Sequence, residues 1–258
     1  MNSVPFLSVF SEISHGSLVD AVLDQIEELI LDGVLPEQSR LPSERELAAQ
    51  LKVSRPKVRE ALKILEDRGL VRIQANSGVF IEKLVNSAIG RPLVDLYQRH
   101  PWAIQDHLDY RKEQEGFAAR LAAERATAFD RQQLRALTEK MAEAHRKGDH
   151  ELGATLDHDF HMTIVSVSYN RTLMLMMKSL HEFNRRGVIY SRQALLNIEQ
   201  VSERLQLEHA GIAEAIVQGN PAEAERLSRA HIAFIGESVQ AAFTQHQREV
   251  IARKRYGR

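Results

Sequence analysis

The segment Leu18–Ile81 is interrupted so often by caps, prolines and glycines that only short helices and a small hairpin fit into it. Apolar residues recur at helical spacing over Leu18–Leu31. The letters S-E-R-E at the start of Ser43–Leu51 form a capping box, which predicts a brief second helix. A tight turn follows, and a serine and a proline then open a third helix over Ser54–Arg68.

Two β-rich runs come next, Leu70–Ile73 and Val79–Ile81, and the polar loop between them contains Gly78. Three helices followed by a hairpin are typical of a winged helix-turn-helix, in which the second of two closely joined helices enters the DNA major groove. The stretch Glu44–Arg72 holds three more basic than acidic residues, although the whole chain has a net charge of −1. This excess favours contact with DNA, while charge alone leaves a solvated helix as the alternative.

Beyond about residue 83 the strand signals stop and the pattern is helical. The predicted helices are Gln105–Thr127, Arg131–Lys147, Glu151–Ser168, Thr172–Ser191, Gln200–Gln218 and Ala222–Gln247. Asp130 is the expected cap of the second of these, and the short joints between them predict an antiparallel bundle. We therefore expect a mainly α fold, in which a winged helix-turn-helix with a two-stranded wing is joined to an all-α antiparallel bundle.

This organisation gives five expected segments: an N-terminal extension (1–17), a winged helix-turn-helix domain (18–83), a linker with a short helix (84–102), an all-helical domain (103–247) and a basic tail (248–258). The absence of cysteine excludes disulfide frameworks and thiolate metal sites. No apolar run is long enough to span a membrane, and the first residues lack the features of a signal peptide. We expect a cytoplasmic protein without a membrane partner.

Four residues of the helical part could bind a metal together. Asp157 and His161 are four residues apart and therefore share one face of a helix, and His209 and His231 fall on two later helices. One carboxylate and three imidazoles suit a first-row divalent metal with positions left open for a ligand. Spacing alone is a weak signal, because the chain has 11 histidines and hydrogen-bonded core histidines are common.

The letters P-S-E-R-E-L-A, followed by V-S-R-P and V-R-E-A-L, resemble the winged helix of the GntR family of bacterial repressors. The resemblance implies that Arg55 and Arg59 read bases. It also implies contacts to the DNA backbone from Arg45, Ser54 and Lys57, and a wing tip in the minor groove at Ser77 and Gly78. A homodimer on a pseudo-palindromic operator is part of the same expectation. The sequence departs from the family pattern at Asn76, where a wing glycine is usual, and at Lys57, where a small residue is common.

The letters L-D-H-D-F-H, E-H-x-x-I and A-x-x-H are similar to the FCD-type effector domain of the FadR subgroup of that family. In its metal-binding members this pattern supplies the ligands, which implies a divalent metal on Asp157, His161, His209 and His231. Zinc is the first expectation, with nickel, manganese or iron as alternatives. The letters R-P-L-V-D-L-Y resemble glycolate- and lactate-type regulators, which implies a 2-hydroxy or 2-oxo acid as the effector.

Arg111 matches an arginine that pairs with the effector's carboxylate in such domains. The alternative is a helix salt bridge between Arg111 and Glu115, one turn further on.

Together these features predict a DNA-binding transcription regulator, expected to be a repressor, whose operator affinity is controlled by a small carboxylate bound at a metal. The alternative is a metal-dependent enzyme, or a metal-stabilised partner-binding helical domain, fused to a DNA-binding module. The sequence lacks H-E-x-x-H, G-x-S-x-G, G-x-G-x-x-G and P-loop motifs, which favours a regulator over an enzyme.

Overall fold

The computed structural model describes residues 18–75, 77–83, 96–97, 100–183 and 199–256. The chain divides into two compact units, Met1–Asn86 and Ser87–Arg258. The predicted extension at 1–17, most of the predicted linker at 84–102, and Asn76 of the wing lie outside the described residues. The described part is mainly helical with one small sheet, which confirms the predicted fold class.

The first unit contains three helices and a hairpin. The elements are α1 (Leu18–Leu31), α2 (Glu44–Leu51), α3 (Arg55–Asp67), β1 (Val71–Gln74) and β2 (Gly78–Ile81). The two strands are antiparallel, with Val71 opposite Ile81 at one end and Gln74 opposite Gly78 at the other. This is the three-helix and wing order that the sequence predicts.

The start of α2 has the predicted capping box. The Ser43 hydroxyl accepts a hydrogen bond from the Glu46 N–H (3.3 Å), and the Ser43 N–H donates to the Glu46 carboxylate (2.8 Å). Lys52 takes a left-handed conformation, with φ of 53°, to turn the chain into α3. Ser54 occupies the predicted N-cap position of α3, but within the described chain its side chain makes no capping hydrogen bond.

One apolar face of α3 closes the core of this unit. Val58, Ala61, Leu62 and Leu65 are buried against α1 and the sheet, as helical spacing dictates. A valine or leucine side chain contributes roughly 1.5–3 kcal/mol when it is fully buried. Because this face is fixed in the core, the opposite face of α3 is held toward solvent.

The second unit is an all-helical bundle. Its helices are α4 (Pro101–Arg125), α5 (Ala128–Arg146), α6 (His150–Val167), α7 (Arg171–Phe183), α8 (Glu199–Val217) and α9 (Pro221–Arg255). Helices α4 and α9 pack along one another, and α6 lies against both α4 and α5. Small residues on α4, among them Ala118, Ala119 and Ala122, are fully buried and allow close approach of the helices. Within the described residues no helix is long and apolar enough to cross a membrane.

Two helix ends differ from the sequence expectation. The N-cap of α5 is Thr127 rather than Asp130: the Thr127 hydroxyl accepts from the Asp130 N–H, and the Asp130 carboxylate accepts from the Thr127 N–H. Asp130 is therefore the third helical residue of a capping box, because a carboxylate there can reach back to the cap. Helix α9 continues past Gln247 to Arg255, so the predicted basic tail is helical for most of its length.

Two arginines at the joint between α4 and α5 bind the C-terminal ends of α6 and α8. Arg125 donates to the carbonyl of Ser168 at the end of α6 (2.9 Å), and Arg131 donates to the carbonyl of Val217 at the end of α8 (2.7 Å). Carbonyls at a helix C-terminus have no partner within the helix, and a cation there also interacts favourably with the negative end of the helix dipole. Both helices are thereby fixed at one end.

Candidate metal centre and nucleic-acid interface

The polar face of α3 presents the side chains that the sequence predicts for DNA contact. Ser54, Arg55, Lys57 and Arg59 are exposed, and so is Arg45 on the preceding helix. Their exposure follows from the burial of the opposite face of α3. The structure therefore brings these five side chains to the surface formed by α2 and the start of α3.

Arg59 is held by a neighbouring carboxylate on α2. Its Nε and Nη2 donate to the two oxygens of Glu44 at 3.0 and 2.6 Å. The hydrogen bonds from Arg59 lower the pKa of Glu44, so this pair is ionised at neutral pH. Because the Arg59 side chain is 66% exposed, solvent screens the pair, and a phosphate or base edge can compete for the guanidinium.

The wing contains a cation that sequence reasoning missed. Gly78 has φ of +107°, and a Cβ at this position would lie 2.7 Å from Nε of Arg40. Arg40 is exposed and forms a β-bridge with Phe80. Ser77 is also exposed. In the sequence Arg40 stands directly before the L-P-S-E letters, and this position does not predict a contact with the wing.

In the second unit, the structure brings all four predicted metal ligands together. Asp157 and His161 come from α6, His209 from α8 and His231 from α9, and each is buried. The three imidazoles offer nitrogen atoms that lie within 4.8 Å of one another. Oδ1 of Asp157 lies 3.3 Å from Nε2 of His209 and 3.9 Å from Nε2 of His161.

Two glutamates that sequence reasoning did not assign to this site fix the orientation of two imidazoles. Nδ1 of His161 lies 2.6 Å from the carboxylate of Glu115, and Nδ1 of His231 donates to the carboxylate of Glu208 at 3.0 Å. Burial raises the pKa of Glu208, while the hydrogen bond from Arg204 opposes this and favours the carboxylate. Against an ionised carboxylate, which only accepts, a neutral ring carries its proton on Nδ1 and keeps the lone pair of Nε2 for the cluster. This is the arrangement that carboxylates impose on metal-binding histidines in general.

The electrostatics of the cluster keep His231 neutral. Burial lowers its pKa well below the ordinary value, and the neighbouring His209 and His161 lower it further, against the opposing effect of Asp157 and Glu115. Nε2 of His231 is buried and has no hydrogen-bond partner among the described residues. An unsatisfied buried acceptor costs about 1–3 kcal/mol, which a cation at this position would offset. The donor set and its protonation therefore fit a divalent metal.

An aromatic ring supports the imidazoles from within the core. Phe160 is fully buried, and its centroid lies 5.6 Å from that of His161 and 4.9 Å from that of His209, both edge-on. Edge-to-face contacts at these distances are favourable and restrict ring rotation. Phe160 therefore links the apolar core of the bundle to the geometry of the cluster.

Arg111 forms the ion pair that the sequence left open as an alternative. Its Nε is hydrogen-bonded to Glu115, both side chains are buried, and the other oxygen of Glu115 faces His161. The second glutamate has a similar partner, since Nε of Arg204 donates to Glu208 (2.9 Å). The Arg204 guanidinium also lies 3.7 Å from the centroid of the Phe234 ring. Each glutamate thus lies between an arginine one turn earlier and a histidine.

A cavity of about 60 Å³ opens beside the cluster, with Asp157 and His209 among the residues of its wall. It lies between α5, α6 and α8. Among the described residues Arg111 does not line this cavity.

Residues 18–81 match the model of bacterial regulatory proteins of the gntR family, and residues 106–234 match the FCD domain. A relative of known role covers both regions: the Glc operon transcriptional activator of Escherichia coli K12 is 32% identical over 226 residues, which span 86% of this chain and 89% of that protein. The chain belongs to the GntR family. This agrees with the resemblance found in the sequence, including the FadR-type subgroup with its FCD domain.

Two further comparisons support the assignment. An E. coli K12 protein assigned to regulation of the L-lactate dehydrogenase operon is 31% identical over 222 residues, 84% of each chain. The solved structure of a Streptococcus agalactiae GntR protein superposes with a TM-score of 0.53 at 25% identity, over 85% of this chain and 99% of that one. These relatives are transcription regulators and not enzymes. The GntR chain described here is accordingly a DNA-binding transcription regulator.

Proposed function

We propose that this GntR protein is a metal-dependent sensor of a small carboxylate, in which Asp157, His161, His209 and His231 hold one divalent metal ion. The observation that carries the proposal is the convergence of three buried imidazoles beside Asp157, two of them oriented by Glu115 and Glu208. In an ordinary apolar core an unsatisfied Nε2, such as that of His231, is a cost that a bound cation would offset.

The metal would act as a Lewis acid with open positions on which a carboxylate and a neighbouring hydroxyl or keto oxygen bind. Nitrogen and carboxylate ligands suit zinc best, and nickel, manganese or iron also accept this set. The protein's own contribution is to hold the imidazoles in the correct tautomer and to exclude bulk water from their Nε2 atoms. We expect a short 2-hydroxy or 2-oxo acid as the effector.

We propose that Arg111 adds positive charge to the same site. Its Nε–H is hydrogen-bonded to Glu115, and the guanidinium has two further nitrogens through which it would bind an effector carboxylate. An Arg111→Lys variant separates this role from a purely structural one, because lysine keeps the charge but cannot form a bidentate pair. Loss of effector affinity at unchanged metal affinity would support direct contact, whereas loss of metal affinity alone would limit Arg111 to holding Glu115.

In the DNA-binding half, we propose that Arg55 and Arg59 reach base edges in the major groove. Phosphates would be contacted by Arg45, Ser54 and Lys57, and the wing tip at Ser77 and Gly78 would approach the minor groove. A homodimer would place two copies of α3 on the halves of a pseudo-palindromic operator. The exposure of these side chains and the firm packing of α3 support the proposal.

Effector binding would favour one arrangement of the dimer and so lower its affinity for the operator. The size of this response is limited by the effector's differential affinity for the two arrangements. Repression is our prediction for the sign, although the relative at the Glc operon is an activator. A reporter placed behind the native promoter tests it: deletion of the gene raises expression for a repressor and lowers it for an activator.

The test of the sensor combines a chelator with operator binding by the purified full-length protein. We expect a short 2-hydroxy or 2-oxo acid to weaken operator binding only by the metal-loaded protein. Dialysis against a chelator should abolish this effect of the acid while the protein remains folded. Unfolding on chelation would instead indicate a structural metal, which is the second candidate function for this site. A response that persists without metal would contradict the proposal.

A further inference from the structure

The segment 38–41, which precedes α2, pairs with the edge of β2 that β1 leaves open. The Leu41 N–H donates to the carbonyl of Val79 at 2.8 Å, and Arg40 forms an antiparallel bridge with Phe80. Leu41 and Val79 are buried in the core of the first unit. Because neighbouring side chains along a strand point to opposite faces, Arg40 and Phe80 share the face that is turned away from this core.

Gly78 leaves the space in which the Arg40 guanidinium lies. A Cβ at Gly78 would lie 2.7 Å from Nε and 3.2 Å from Nη2 of Arg40. Gly78 is two residues before Phe80, on the same face of β2, and it pairs with Gln74 at the tip of the hairpin. The long side chain of Arg40 therefore lies along the wing toward its tip, over a position where a larger residue would displace it.

Arg40 differs from the other arginines near the wing in having no carboxylate partner. Arg59, Arg68 and Arg72 each form an ion pair with a glutamate. In the part of the chain that the structure describes, Arg40 has neither a hydrogen bond nor an ion pair, and it is exposed. A guanidinium with this freedom suits a phosphate group, to which it can donate two parallel hydrogen bonds.

Arg40 also lies beside the start of α2, where Arg45 is exposed. Hydrogen bonds from Ser43 lower the pKa of Glu46, and the charges of Arg45 and Arg40 lower it further. The Glu46 carboxylate is itself engaged by the hydroxyl and the N–H of Ser43, at 2.7 and 2.8 Å. The wing cation is therefore continuous with the basic surface formed by α2 and the start of α3.

We infer that Arg40 is the phosphate-binding residue of the wing, and that Gly78 reserves the place of its guanidinium. Because this role deepens the proposed DNA-binding surface, it rests on that proposal. A phosphate contact strengthens binding to every sequence, since it is electrostatic and releases counterions condensed on the DNA. Arg40 thus has a different task from Arg55 and Arg59, for which we propose contacts to base edges.

Anisotropy titrations of the full-length protein at several salt concentrations test this role. The probe is a duplex of roughly 30 base pairs, selected from a random pool by the wild-type protein and long enough for two half-sites one helical turn apart. Versions of the duplex with single base-pair changes are titrated beside it. For Arg40→Ala we expect the plot of log affinity against log salt to become shallower by about 0.9 for each Arg40 that contacts DNA, or about eightfold weaker binding per contact at about 0.1 M salt. This loss should be the same for every version of the duplex.

Arg68→Ala is the matched control. It also removes one exposed arginine, but Arg68 is the C-cap residue of α3 and is paired with Glu27. It should leave affinity and salt dependence unchanged, and Arg40→Lys should keep the wild-type salt dependence because the charge remains. Gly78→Ala should weaken binding in the wild-type background and have no further effect on the salt dependence in the Arg40→Ala background.

Equal salt dependences of Arg40→Ala and Arg68→Ala would overturn the role of Arg40 and leave the proposed DNA-binding surface intact. The same holds if Arg40→Ala removes the discrimination at one base pair, because Arg40 would then read a base. Failure of the wild-type protein to select any duplex would instead contradict the proposed DNA-binding surface itself.

Discussion

The sharpest prediction concerns Glu208, which orients His231 without belonging to the proposed ligand set. One of its oxygens accepts from Nδ1 of His231 at 3.0 Å, and the other accepts from Nε of Arg204 at 2.9 Å. In a Glu208→Gln variant only one terminal atom can accept, so the amide nitrogen faces an N–H on one side. Because the Arg204 guanidinium can only donate, it takes the amide oxygen, and the amide nitrogen then faces Nδ1 of His231. His231 accepts this bond by moving its proton to Nε2, where a metal would have to displace it.

We expect Glu208→Gln to weaken metal binding about 10- to 100-fold, the usual effect of losing such a carboxylate, which corresponds to about 1.4–2.7 kcal/mol. The unfolding free energy of the metal-free protein should change by less than about 1 kcal/mol, because the Arg204 side chain is mostly exposed. Competition with a chromogenic chelator measures the affinity, and urea denaturation of the metal-free protein measures the stability.

Glu203→Gln is the control, since Glu203 is an exposed residue of the same helix. It should leave both quantities unchanged. Equal metal affinity of wild type and Glu208→Gln, within twofold, would refute the argument that the Nδ1 bond fixes the tautomer. A large loss of metal-free stability would show that Glu208 mainly supports the fold.

Three further outcomes are expected. Arg59→Ala should weaken specific operator binding by about 1–3 kcal/mol in an anisotropy titration, because the exposed guanidinium can exchange Glu44 for DNA. Its metal content should stay unchanged, and operator affinity equal to that of the wild type would remove Arg59 from the interface. Phe160→Ala should destabilise the metal-free protein by about 3–5 kcal/mol in urea, since the ring is fully buried, and a Phe160→Leu variant should recover much of this loss. Thr127→Ala should cost about 1 kcal/mol by removal of the N-cap of α5, measured by thermal unfolding; no change would mean that Asp130 alone satisfies the helix end.

Much of the first unit was predictable because its signals are local. The capping box at Ser43 acts within one helical turn, and the burial of Val58, Leu62 and Leu65 follows from helical spacing. The cap of α5 was assigned to the wrong residue for the same local reason: Thr127 and Asp130 can both cap a helix, and only their reciprocal hydrogen bonds decide between them. Arg40 reaches the wing through the tertiary fold, which spacing does not describe.

The histidine cluster shows what a resemblance adds and what it leaves out. Asp157 and His161 share a helix face by spacing, but their meeting with His209 and His231 depends on how three helices pack, and the resemblance supplied it. Glu115 and Glu208 were missed because each contacts a histidine on a different helix. The ion pair of Arg111 with Glu115 was visible as a one-turn spacing, whereas the second contact of Glu115 was not.

The measurement that tests the central claim most directly is the metal content of the purified full-length protein and of its His209→Ala variant, after dialysis against metal-free buffer. We predict about one divalent ion per wild-type chain, far less than one in the variant, and the same helical circular-dichroism signal in both. A wild-type protein that retains no metal, or a variant that retains as much as the wild type, would contradict the account of this site.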